Sequence, residues 1–246
     1  MVEKKKPIYK RWWFWALIIL IIIAIGNMRN DEQTNNDPVA NEQEKTDVAE
    51  KETQEEQKEE KKQEDKAEWT PQQEMLNKII ALFDSKKAFD TGSYTQGDIP
   101  KGEYAFVRFK GSGSYYGEED LSGNIIDNEN FDSFGYVYVH DSGNIQTQGV
   151  LIHVDSFPTL GVTSAREIYE KLNNVENYRG SGWYKVGVDI PAGQYTIEST
   201  GQGYVAIMSG PVGNNEIVNN EIFNGKYTVN VSNGQYLQVT RGNILQ

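Results

Sequence analysis

Cysteine is absent from the chain. This excludes disulfides, thiol nucleophiles, Cys-based zinc or iron–sulfur sites and a lipidated cysteine anchor. A cysteine-free sequence fits an exported bacterial protein better than a small eukaryotic ectodomain, which disulfides usually staple. Histidine is nearly absent, with only His140 and His153. There is no Gly-x-Ser-x-Gly elbow and no His-Glu-x-x-His. Gly111, Gly113 and Gly117 lack the Lys-Ser/Thr that a phosphate loop requires. A basic excess is missing too: the net charge is −12. Nucleic acid is excluded as a partner on that ground, because phosphate binding needs clustered cations that release counterions.

Long apolar runs are limited to one place. Lys4, Lys5, Lys6, Lys10 and Arg11 precede an uncharged run from Trp12 to Met28. At about 1.5 Å per residue this makes roughly 25 Å of helix, the low end of a bilayer span. Trp12, Trp13, Phe14 and Trp15 suit the headgroup level, and the cations on the near side against Arg29 on the far side place the N-terminus inside. The rival reading is a cleaved signal peptide, because Ala24-Ile25-Gly26 is small-x-small at the end of an apolar run. Both readings export the rest of the chain.

Residues 31–68 hold 15 acids against 6 lysines and no aromatic side chain. Such a segment cannot bury enough surface to offset its conformational entropy. Asp47–Lys51, Glu55–Lys58 and Glu59–Lys62 are spaced for a solvated helix as the alternative. In either form it is a spacer.

Beyond the spacer the chain repeats itself. Tyr94-Thr95-Gln96-Gly97 and Asp98-Ile99-Pro100-Lys101-Gly102-Glu103-Tyr104 read against Tyr184-Lys185-Val186-Gly187 and Asp189-Ile190-Pro191-Ala192-Gly193-Gln194-Tyr195, with Val188 added. Ile125 to Phe131 matches Ile217 to Phe223, and Tyr136 and Gly143 then fall opposite Tyr227 and Gly234. Two matching blocks in the same order indicate a duplication. A helix precedes each copy. Thr70, Pro71 and Gln73 form a capping box with Met75, Leu76, Ile79, Ile80 and Phe83 at helical spacing; Ser164 and Glu167 form another before Ile168, Tyr169 and Leu172. The copies themselves alternate as strands, and Asn233-Gly234 predicts a hairpin between Tyr227-x-Val229-x-Val231 and Leu237-x-Val239.

The Tyr-x-Val-Gly-x-Asp-Ile-Pro-Ala-Gly-x-Tyr string at 184–195 resembles a repeat in largely uncharacterised surface proteins of Gram-positive bacteria. The opening Lys-Lys-Pro-Ile-Tyr-Lys-Arg-Trp-Trp-Phe-Trp is similar to membrane anchors in the same organisms. The first copy departs from the repeat at Gln96 and Lys101. The resemblance implies a location and an architecture and carries no catalytic residue.

Candidate sites are few. Asp127, Glu129 and Asp132 make an acidic loop spaced for a hard cation such as calcium, against the plain alternative of a solvated turn. Tyr115 and Tyr116 sit in a Gly/Ser-rich stretch and read as an exposed aromatic pair for a sugar or peptide. His153-Val154-Asp155 offers a base and its orienter without a nucleophile, and His140, opposite Val231, reads as an ordinary strand position. No catalytic residue and no other cofactor is assigned.

The expected protein is mainly β, with two related β-sandwich or barrel-like modules each preceded by a short helix. Its segments are a cytoplasmic tail (1–11), a transmembrane helix (12–28), a charged linker (29–68) and two modules (69–156 and 157–246). The expected role is non-catalytic binding of cell-wall glycan or a surface-protein partner by a membrane-tethered, extracytoplasmic chain. The alternatives are an envelope-acting hydrolase and an accessory subunit of a membrane complex.

Overall fold

A computed structural model describes residues 69–141 and 143–245. The basic tail, the 12–28 segment and the 29–68 linker lie outside the described residues, and with them the choice between anchor and signal. Among the described residues no helix is long and apolar enough to cross a membrane.

Helix α1 (Pro71–Phe83) begins where its sequence says it should. The Thr70 hydroxyl accepts from the Gln73 backbone N–H, the Gln73 side chain accepts from the Thr70 N–H, and Pro71 supplies a helical φ. Met75, Ile79 and Leu82 line one face and are buried, each contributing about 1.5–3 kcal/mol. After the short α2 (Phe157–Leu160), α3 (Ala165–Asn173) starts at Ser164, whose hydroxyl accepts from the Glu167 N–H. Only half of the expected second capping box forms. The Glu167 carboxylate turns outward to the Thr163 N–H and hydroxyl, leaving the start of α3 to other partners. The Gln72 side chain donates to the Leu172 carbonyl, which ties α1 to α3.

The protein is mainly β, and every ladder is antiparallel. The first half contributes β1 (Ala88–Phe89), β2 (Gly92–Tyr94), β3 (Gly102–Val107), β4 (Tyr115–Asp120), β5 (Ile125–Asn130), β6 (Phe134–Val139), β7 (Gly143–Thr147) and β8 (Val150–His153). They form two four-stranded sheets, ordered β1-β8-β3-β6 and β2-β7-β4-β5. The two orders correspond: each strand of one sheet continues along the chain into the strand at the same place in the other. Four long ribbons therefore bend from one sheet into the next. Gly149, between β7 and β8, lies so close to the Phe106 ring that a Cβ there would come within 2.6 Å of it.

The second half builds the same pattern with fewer breaks. Its strands are β9 (Gly182–Lys185), β10 (Gly193–Met208), β11 (Ile217–Phe223), β12 (Lys226–Val231) and β13 (Tyr236–Ile244), in one sheet ordered β11-β10-β13-β9 with β12 also on β10. Gly102 pairs with Val139 as Gly193 pairs with Val231, and Tyr116 pairs with Glu129 as Val205 pairs with Glu221. Gly102 and Gly193, after the two Ile-Pro elements, hold φ of 155° and 157°, which a Cβ disfavours.

These ladders correct two expectations. The partner of Val231 in the pattern is Val139, so His140 lies one place beyond it and Tyr136 matches Thr228 rather than Tyr227. A one-residue slip exchanges the two faces of a strand. Nor does Asn233-Gly234 close a hairpin. Strands β12 and β13 both pair with β10, on its opposite edges, so the turn crosses over the sheet, and Gly234 N–H donates to the Val186 carbonyl.

The described residues belong to one compact unit. Buried side chains from both halves join a single cluster, which runs from Met75 through Phe106, Tyr136 and Tyr184 to Ile244. The expected 156/157 boundary thus falls within one core. Strand β6, nearly all buried, carries the seam: Val137 bridges Val212, Tyr138 N–H donates to the Val212 carbonyl and Val212 N–H to the Tyr136 carbonyl.

Candidate functional site

Strand β4 sets Tyr115 and Tyr116 on opposite faces. Tyr115 is half-buried, and Tyr116 is fully buried with its hydroxyl 3.5 Å from Glu118. The expected exposed pair is therefore reduced to one ring. Burial, with the Glu118 charge beside it, raises the Tyr116 hydroxyl far above the ordinary tyrosine range.

Asp127 and Glu129 lie on strand β5 rather than in a loop, two residues apart and turned the same way. Asp127 Oδ2 accepts from the Gly213 N–H at 2.6 Å, and Glu129 accepts from Asn130 N–H and the Gln238 side chain. Both carboxylates thereby hold the first half to the second. Burial raises the Glu129 carboxyl above the usual range. Asp132 lies beyond the strand and its carbonyl accepts from Arg108. Among the described residues no group of three His, Asp or Glu side chains is placed to hold a metal ion.

Two polar groupings escaped the sequence reading. Glu118 is fully buried, and one carboxylate oxygen accepts from the His140 backbone N–H at 2.9 Å while the other faces His140 Nδ1 at 3.0 Å. The dyad orients an imidazole, but among the described residues no hydroxyl is brought to it other than the buried Tyr116. His153 Nδ1 accepts from the Asp155 N–H, and burial lowers its proton affinity. No serine is hydrogen-bonded to either imidazole among the described residues.

The second grouping spans the seam. Asp189 is buried and accepts from the Tyr136 hydroxyl at 2.7 Å, the Lys185 N–H at 2.8 Å and the Arg166 N–H at 2.9 Å. The same Tyr136 hydroxyl accepts from the Ala165 N–H. The first three N–H groups of α3 are thus satisfied by Tyr136, Asp189 and Ser164, one from the first half and two from the second. Burial raises the Asp189 carboxyl and outweighs these donors. Beside it, Lys185 Nζ pairs with Glu103 at 2.6 Å and lies 5.6 and 5.4 Å from the Tyr136 and Tyr236 ring centroids. The Tyr236 hydroxyl donates to the same Glu103 oxygen.

The outer strands also carry exposed apolar side chains. Both outer strands carry the same irregularity. Ile126 is the extra residue where β5 slips against Glu118 and Glu119, and Val218 is the extra residue where β11 slips against Ile207 and Met208. Such bulges re-aim side chains. Ile125 and Ile126 are exposed on one edge, Ile217, Val218 and Ile222 on the other, and Leu121 stands at the β4–β5 turn. Among the described residues β5 pairs only with β4, and β11 only with β10. No protein-family model, curated protein or solved structure matches the chain.

Proposed function

We propose that the chain is a membrane-tethered, extracytoplasmic, non-catalytic binding protein whose two related sandwich-like β modules present their outer strands to a partner. The observation that supports this reading is the matched pair of exposed apolar edges, Ile125-Ile126 and Ile217-Val218, at corresponding bulges. Exposed contiguous apolar surface marks interaction sites. Asp189, Glu103, Asp127 and Glu129 are meanwhile engaged in joining the halves. The resemblance to Gram-positive surface proteins supports the location, with the 12–28 segment as anchor and 29–68 as spacer. The partner is another surface protein or a neutral wall glycan, because the acidic charge disfavours anionic polymers.

A photo-reactive residue at Ile222, expressed in intact cells, tests this reading together with co-sedimentation on cell-wall sacculi with and without calcium. One dominant cross-linked protein supports a protein partner, and a partner that is a membrane complex would favour the accessory-subunit reading. Saturable sedimentation supports a wall ligand. Absence of both overturns surface binding. The hydrolase reading has less support, since neither imidazole is joined to a serine among the described residues.

A further inference from the structure

The two apolar edges are close together. Asp127, which follows Ile126, accepts from Gly213 N–H at 2.6 Å, and Gly213 precedes Ile217 by four residues. Chain reach then limits the separation of the two doublets to about 22 Å. Glu129 gives a second tie. Its partner Gln238 sits on β13 opposite Ala206, which is itself opposite Asn220 of β11. Ile125, Ile126, Ile217 and Val218 therefore lie within reach of one extended peptide, with Leu121 and Ile222 four residues beyond them along the chain.

The two stretches that carry these residues hold charge of one sign. Residues 114–132 carry six carboxylates and residues 209–224 carry two, and neither stretch contains Lys or Arg. Among the described residues none of these eight lies within ion-pair distance of a lysine or arginine; Glu118 alone has a histidine. Glu119, Glu216 and Glu221 are exposed beside the apolar residues. An unneutralised acidic rim around branched apolar side chains attracts cations and rejects a second copy of the same surface.

We propose that the edge formed by β5, β11 and the loop between β10 and β11 docks a basic polypeptide segment of another protein, its Lys or Arg residues alternating with branched apolar ones. An extended segment of about ten residues, at about 3.3 Å each, reaches across both doublets. The bulges at Ile126 and Val218 interrupt the outer hydrogen-bonding rows, so side chains rather than strand addition carry the contact. This inference rests on the protein-partner reading above and names the chemistry of that partner.

The test is fluorescence anisotropy of a labelled Lys-Ile-Lys-Val-alternating peptide of about ten residues, titrated with the purified full chain in non-ionic detergent, with empty micelles as blank. Three peptides are compared: this one, the same with Glu for Lys, and the same with Ser for Ile and Val. Saturable binding of the first peptide is expected. Affinity should fall tenfold or more with either control, with Ile217→Ser/Val218→Ser, with Glu216→Gln/Glu221→Gln, and with added salt. Unchanged thermal melting of the variants assigns the loss to the surface. Equal binding of all three peptides, unaltered binding by both variants, no binding of the first peptide, or dimerisation through this edge would each overturn the proposal. Because peptide and protein are both purified, a negative result leaves cross-linking in cells to judge surface binding independently.

Discussion

Asp98 and Asp189 occupy the same place in the two halves, each one residue before an Ile-Pro turn, and their surroundings are opposite. Asp98 is exposed and accepts from the Thr95 N–H and hydroxyl, closing its own turn. Asp189 closes the corresponding turn through Lys185 N–H and reaches further, to Tyr136 of the first half and the start of α3. The tyrosines differ in the same way. Tyr104 and Tyr195 both donate to the carbonyl four residues back, Pro100 or Pro191, but only Tyr104 is fully buried. A motif that serves local geometry in one half has become a joint between halves in the other. The difference comes from what packs on top of the motif; the turns themselves differ only by the added Val188, across which the Asp189 N–H closes on Lys185 where the Asp98 N–H closes on Thr95.

The largest effect should separate the two aspartates. Asp189→Ala leaves a buried hydroxyl and two N–H groups without their acceptor and should cost about 3–5 kcal/mol, against about 1 kcal/mol for Asp98→Ala, in urea melts. Equal costs would end the idea that one of them joins the halves. Next, a double-mutant cycle on Glu103→Gln and Lys185→Met should give a coupling of about 1–2 kcal/mol, since the pair is partly buried and Lys185 also faces two rings. Zero coupling would reduce the seam to apolar contact. Tyr104→Phe should then cost about 1 kcal/mol and Tyr195→Phe less, because the second hydroxyl is rehydrated when its bond is lost.

A smaller, pH-dependent difference belongs to Glu129. Burial raises its carboxyl in the folded chain, so between the unfolded and folded values the native state holds more protons. Stability from this group is present at low pH and is lost as pH rises through the folded value. Glu129→Gln should therefore gain in melting temperature over the parent at about pH 7 and lose that gain near pH 4. A gain independent of pH would remove the titration from the account. The smallest effect on folding is expected at the matched edges: Ile125→Ser and Ile217→Ser should each change stability by under about 0.5 kcal/mol.

Local features were legible in the sequence. Thr70, Pro71 and Gln73 mark the start of α1 because capping is an exchange between near neighbours. The strands of the second half follow from the alternation at Tyr227, Val229 and Val231. What escaped depended on partners far along the chain. Tyr116 reads as surface and Glu118 draws no reading, because their cover, including His140, lies more than 20 residues away. Asn233-Gly234 has the composition of a hairpin, yet which strand β12 meets is decided by β10, not by the turn. Asp98 and Asp189 lie in nearly the same string, so no local signal could tell the exposed one from the buried one.

Helix α1 has a mechanical consequence. Any pull on the chain ahead of Trp69 enters the fold at Thr70 and acts along a helix held by Met75, Ile79, Leu82 and the bond from Gln72 to Leu172. Those contacts release one after another, as in peeling, whereas the ladders of β3, β6 and β10 lie further along the chain and are held by many backbone bonds at once. The first extension under tension is therefore the unravelling of 13 helical residues. The edges of β5 and β11 keep their shape while the chain ahead of them lengthens.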